Sequence, residues 1–328
     1  MAKGILAVAF PRHGALPGSA LEIAGAAQAL SQITGEPFSC ALIGGLKAGD
    51  LAPQLASRGP AAVHLLSDAA FENFSDETYS KALASLIEKE GFKTVLVPSS
   101  VNGRLLAARL AVALKAGVMS DVWGFEKSEG GFLAKRNVYG GNWTGAFVFK
   151  SERQVVAIEP MAFEAPKPGS GQAPVSKVQA QADPSKAGAA FASFAPQPEG
   201  EVDLGGAERI VSGGRGLGNP EGFKLIREFA QALGAAVGAS RVAVDSGWIP
   251  YRHQVGLTGR TVRPKLYVAC GISGQIQHLA GMSSSANIVA LNTDPECPMM
   301  KMASISVVGD LYEMIPLVVQ EIKKRRGG

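Results

Sequence analysis

Short apolar runs alternate with Ala-rich amphipathic stretches along the first part of the chain. ILAVAF, LEIAGAAQALSQI, FSCALIG, AAVHLLS, TYSKALASLIEKE, TVLVPSS and GRLLAARLAVALKAG follow one another from Ile5 to Gly117. A continuously apolar run reads as a strand covered on both faces, and a strand–helix–strand rhythm builds βαβ units. The pattern therefore predicts an α/β fold with a mainly parallel sheet flanked by helices. Two shorter strands, near FLAKRNVYGG and GAFVFKSERQVVAIEP, are expected to finish the sheet.

From Ala165 to Gly200 the periodicity fades into a stretch rich in Pro, Gly, Ser and Ala, inside which a strand around Val175–Val178 is conceivable. This stretch reads as a linker. Residues 1–199 are thus expected to form one α/β domain whose tail, about 165–199, is the linker, and residues 200–328 a second, doubly wound one. The alternation restarts with ERIVSGG, a glycine-rich loop RGLGNPEG and the helix FKLIREFAQALG. Asn219 is expected to cap that helix, Pro220 to take its first position and Gly234 its left-handed exit. Phe223, Ile226, Ala230 and Leu233 form its buried stripe. The strands AAVGAS, KLYVACG, ANIVALNTD and ISVVG follow, with a helix over SGQIQHLAG and a last helix opening at DLYE. There Asp310 can cap and Glu313 can complete the capping box.

A chain of 328 residues is long enough for two cores. Cys40, Cys270 and Cys297 are far apart with no CxxC pair, which argues against a disulfide framework and a zinc site and favours a reducing, cytoplasmic setting. No stretch approaches the ~20 apolar residues of a membrane helix, and the N-terminal run reads as a first strand rather than a secretory signal. The net charge of +4 is small, and the basic run Lys323–Arg326 sits where it offsets a helix dipole, so nucleic acid is not an expected partner.

In a doubly wound sheet, ligands sit beyond the C-terminal strand ends. Those ends carry SGGRGLG around Arg215, then Ser240 and Arg241, Ser273 and Gly274, Asn292 and Asp294, and Asp310. Glycines admit close approach of a phosphate, arginine adds a bidentate fork, and the polar side chains suit sugar or ribityl hydroxyls. Together they describe a dinucleotide site. Taken singly, each has a plainer role: Ser240 as a helix cap, His278 as a satisfied core or surface histidine, Cys270 as a small core residue. No GxGxxG with an acidic residue ~20 positions on supports a nicotinamide dehydrogenase, which stays an alternative, as does a cofactor-free docking subunit.

The run VGASRVAVDSGWIPYRHQVGLTGRTVRPKLYVACGISGQIQHLAGM, together with SGGRGL, NTDPECP and VGDLYEMIP, resembles the alpha subunits of electron transfer flavoproteins. LVPSSVNGRLLAARLA and YGGN carry a looser likeness in the first domain. The resemblance implies one FAD in the second domain, and a beta subunit partner that itself holds AMP or a second FAD. It implies a carrier without a substrate of its own, taking electrons from acyl-CoA dehydrogenase-type flavoenzymes of fatty acid β-oxidation and passing them to a quinone oxidoreductase. By the same likeness Arg215 contacts the dinucleotide, Ser240 and Arg241 lie at the flavin end, and the loop Gln254, Val255, Gly256, Leu257 and Thr258 wraps the cofactor, with Thr258 on flavin N5. Ser273, Gly274, Gln275, Ile276, Gln277 and His278 line the site, and Asn292, Asp310 and Leu311 carry the adenosine end. Leu257 and Gln275 stand where many members have glutamine and alanine. Leu257 favours the branch that includes electron-bifurcating, NADH-oxidising members. A protonated His278 at the flavin pyrimidine edge, with Arg241 at the other end of the ring, would stabilise negative charge; a unit charge ~4 Å away is worth ~4 kcal/mol at an effective dielectric of 20.

Overall fold

The computed structural model describes residues 4–141, 143–179, 187–189, 191–193 and 204–326. Two compact units divide it: Met1–Asn137 with Thr144–Phe194, and Val138–Trp143 with Ala195–Gly328. The expected linker lies partly outside the described residues. Among those residues no helix is long and apolar enough to cross a membrane, and no cluster of His, Cys, Asp and Glu is placed to hold a metal.

The first unit is a nine-stranded sheet. Its parallel centre holds β1 (Ile5–Ala9) between β2 (Phe38–Gly44) and β4 (Thr94–Pro98), with β3 (Val63–Ser67) beyond β2. The apolar runs are unbroken because both faces are covered. Ile5, Ala7 and Ala9 enter the core under α1 (Gly18–Thr34), whereas Leu6 and Val8 enter the core under α3 (Asp76–Glu90) and α4 (Val101–Leu114). Helix ends follow local chemistry: Ser75 and Ser100 accept Thr78 N and Gly103 N as N-caps, and Gly35 and Gly91 close α1 and α3 in the left-handed region.

Two features differ from the sequence reading. The strand β5 (Gly117–Ser128) was not anticipated, because its faces are half-exposed and its register against the neighbouring strand shifts between Met119 and Val122. The single strand expected over GAFVFKSERQVVAIEP is two: β7 (Trp143–Phe147) at the sheet edge, and β8 (Gln154–Ile158) buried between β4 and β5. β6 (Gly131–Val138) pairs antiparallel with β5. A short β9 (Val175–Lys177) adds parallel to β3.

The second unit is a five-stranded parallel sheet of β10 (Arg209–Gly213), β11 (Ala236–Ala239), β12 (Leu266–Cys270), β13 (Ile288–Asn292) and β14 (Ile305–Val308), in spatial order β11-β10-β12-β13-β14. The winding direction reverses between β10 and β12, which is where such sheets open a crevice at their C-terminal edge. Val211, Val268 and Cys270 pack under α5 (Gly222–Leu233) and α9 (Leu311–Arg326), while Ile210, Tyr267 and Ala269 face the opposite core with Met282, Met299 and Met300. Asn219 Oδ1 accepts Gly222 N at 3.0 Å, so Asn219 and Pro220 form a turn ahead of α5 rather than its first residues, and Gly234 takes the left-handed exit with φ 61°. The last helix is capped by Asp310 through Tyr312 N at 2.7 Å rather than through Glu313 N.

At the reversal point the loops after β10 and β12 touch backbone to backbone. Gly214 N donates to Cys270 O at 2.9 Å and Gly216 N to Gly271 O at 3.0 Å. A Cβ on Gly271 would lie 2.8 Å from Gly216 Cα, and φ there is +63°. Gly218, with φ +76°, has nothing within 4 Å of its Cβ direction. A left-handed alanine costs roughly 1–2 kcal/mol and overpacking roughly 1–3 more. Gly271→Ala is therefore expected to lose about 2–5 kcal/mol of stability and Gly218→Ala about 1–2. Denaturant unfolding checks this, and equal losses would count against a load on the seam.

Candidate functional site

The loops that leave the C-terminal strand ends place the sequence-selected residues in two tiers, an exposed rim and a buried floor. After β10, Arg215 lies in a 3-10 turn, Arg215–Leu217, that separates the glycines from α5. The glycine loop thus does not run straight into a helix start. The Arg215 side chain is exposed and has no partner among the described residues.

After β11, Ser240 Oγ accepts Ala243 N at 3.4 Å and caps the short helix α6 (Arg241–Asp245). Arg241 Nε meets Asp245 Oδ2 at 3.1 Å, with both side chains mostly in solvent. An exposed i,i+4 pair is worth only ~0.3–0.5 kcal/mol, so the guanidinium is easily redirected.

The loop Gln254–Thr258 is stitched to two neighbours. Val255 N donates to Ala239 O at 2.9 Å and Leu257 N donates to Gln277 O at 2.7 Å. Gly256 has φ +143°, and a Cβ there would approach Gln277 O to 2.9 Å; a Cβ on Gly281 would come within 2.4 Å of Gly256 N. Gln254 is 3% exposed, and its Nε2 donates to Thr258 Oγ1 at 3.0 Å, which fills an acceptor lone pair and leaves the hydroxyl proton to be given outward. Leu257, 68% exposed, stands beside Thr258 on the crest.

The helix expected over SGQIQHLAG is a single turn, α7 (Ile276–Leu279), because Gly274 at φ +81° is turned against Met299, whose N would lie 2.4 Å from a Cβ. Ser273, Gln275, Ile276 and Gln277 are exposed, and Gly274 is buried. His278 is 6% exposed on the floor. Its Nε2 lies 2.9 Å from the Tyr267 hydroxyl, and the other side of the ring is turned toward the Val255 backbone. Burial pulls its pKa down to about 4, against a smaller upward push from Val255. Burial thus works against the imidazolium expected from the sequence.

Asn292 and Asp310 are largely occupied by their own loops. Asn292 donates to Ile272 O at 3.2 Å and accepts Asp294 N at 3.1 Å, tying the β12 and β13 loops together. Asp310 accepts Tyr312 N, and Leu311 is buried with its Cδ1 2.9 Å from a Cβ built on Gly271. The sequence reading passed over Tyr267 as one letter of an apolar strand. A polar tip in a run covered on both faces was the available sign that something across the sheet must answer it.

Residues 5–183 match the model of the electron transfer flavoprotein domain, and residues 203–283 match that of the electron transfer flavoprotein FAD-binding domain. The chain is 40% identical over 325 residues to the electron transfer flavoprotein subunit alpha of Thermoanaerobacterium thermosaccharolyticum, covering 98% of each chain. It is 39% identical to the subunit of that name from Syntrophomonas wolfei, covering 84% of this chain and 86% of the relative. A third, from Megasphaera elsdenii, is 35% identical, covering 99% of this chain and 98% of the relative. The chain belongs to the electron transfer flavoprotein alpha subunit family.

Proposed function

We propose that the second unit of this chain holds one FAD along the C-terminal edge of β10 to β13, and that the chain works as the alpha half of a heterodimer that carries electrons. The observation that carries the reading is the gathering of polar groups at the C-terminal strand ends within the residues that match the FAD-binding domain, with exposed Arg215 on the rim and a crest where Thr258 keeps a proton to donate. The rim fits the other end of a dinucleotide, since Arg215 is exposed, without a side-chain partner among the described residues, and can face a pyrophosphate.

The bound flavin supplies the electron chemistry, accepting and releasing electrons one or two at a time. The chain's residues orient it and set the charge around it. Arg215 would offset phosphate charge, and Arg241, held only by its surface pair with Asp245, can swing to negative charge near Ser240. Thr258 would donate from the crest and His278 from the floor. A general acid–base pair is not required. The beta subunit, with AMP or a second FAD, would complete the carrier. Acyl-CoA dehydrogenase-type flavoenzymes would be the donors and a quinone oxidoreductase the acceptor, as the family likeness suggests.

Co-expressed with its beta subunit, the chain should purify yellow, with flavin absorption that stays with the protein on gel filtration; a colourless heterodimer that takes up no added FAD would overturn the reading. Loss of one charge-assisted phosphate contact costs roughly 1.5–3 kcal/mol. Arg215→Ala should accordingly weaken FAD retention about 10- to 100-fold, measured by flavin release on dilution.

Stability should also depend on pH through His278. Its folded pKa is depressed to about 4 from 6.5, so the unfolded chain takes up a proton first as pH falls. The contribution is complete above 6.5 and is lost as pH drops toward 4, amounting to roughly 3 kcal/mol over the window. The loss should be smaller by about that amount in His278→Gln, compared by urea unfolding near pH 7 and near pH 4.5.

A further inference from the structure

Tyr267 is fully buried in β12, at 0% exposure, and its hydroxyl is 2.9 Å from His278 Nε2. A phenylalanine would fill the same space. The hydroxyl is retained in a place where an unmade hydrogen bond is costly, so what it bonds to decides its use. Burial drives its pKa upward, so it stays a phenol and always brings one proton to the pair. Ser212 Oγ, also fully buried, lies beside it and opposes part of that upward shift.

Two arrangements are open to this pair. If Nε2 carried the ring proton, the Tyr267 proton would be left to Ser212 and Nδ1 would be a bare buried lone pair set against the Val255 backbone acceptor. If Tyr267 donates to Nε2, the ring proton sits on Nδ1, where it faces the Val255 backbone, and neither ring nitrogen is set against a group of its own kind. Each unmade buried group costs roughly 1–3 kcal/mol, so the second arrangement wins.

We propose that Tyr267 is a positioning residue of the cofactor site, whose hydroxyl holds His278 as the Nδ1–H tautomer. This rests on the flavin reading above. It also gives a polar residue inside an apolar strand a purpose beyond packing, since Tyr267 touches the site only through the imidazole.

The test is long-range proton–nitrogen correlation NMR on the heterodimer labelled with nitrogen-15 histidine. The chain has four histidines, and His278 is assigned by its loss in His278→Gln. The expected result is a protonated Nδ1 and an unprotonated Nε2 on His278 in the wild-type protein. In Tyr267→Phe the tautomer ratio should move about tenfold or more toward Nε2–H, because one buried hydrogen bond is removed. A wild-type ring protonated at Nε2, or a Tyr267→Phe ring with an unchanged ratio, would overturn the proposal. Should Tyr267→Phe fail to fold, the wild-type spectrum decides alone. The two readings separate on one sample: absence of flavin absorption sinks the cofactor assignment, while the tautomer is still read from the ring.

Discussion

The second unit depends on one constraint: two loops from neighbouring parallel strands must meet main chain to main chain at the point where the winding reverses. Gly214 and Gly216 donate to the carbonyls of Cys270 and Gly271, and neither Gly216 nor Gly271 has room for a Cβ facing the other. This seam sets how close β10 and β12 stay at their ends. Everything downstream inherits its position from it. Tyr312 OH donates to Leu217 O at 2.6 Å and brings α9 against the same loop, and Leu311 packs over Gly271. A second close contact, Gly256 against Gly281, fixes the crest over α7 in the same manner.

Between these fixed backbones sit the few buried polar groups that are not spent on secondary structure. Gln254 orients a hydroxyl, and Tyr267 answers an imidazole. Both act at one remove, by limiting which way a hydrogen can point. Low dielectric makes such limits strong, because each alternative leaves a buried donor or acceptor unanswered. Charge, by contrast, is kept on the exposed rim, where Arg215 and Arg241 can move.

Much of this was legible from the chain. Unbroken apolar runs such as ILAVA and LYVAC are buried strands because helices cover both faces, and the pattern carries that information directly. The glycine and polar residues at strand ends could be collected without coordinates, since parallel sheets put their ligand residues there. What escaped was set by tertiary context. β5 is half-exposed and irregular, so its letters carry no clean period. The one-turn length of α7 follows from Gly274 packing against Met299, which lies 25 positions away and leaves no local trace. The downward pull on the His278 pKa follows from burial beneath neighbours that no local window contains.

Where main chains touch at Gly216, Gly271, Gly256 and Gly281 there is no space in which a side chain could be tried. Chains that share this seam can therefore diversify only where atoms end in solvent, along the crest and the outer turn. Leu257 and Gln275, the two positions at which this sequence departs from the pattern it otherwise resembles, both lie there. Tolerance to change is thereby concentrated at the opening of this unit and withheld from the seam beneath it.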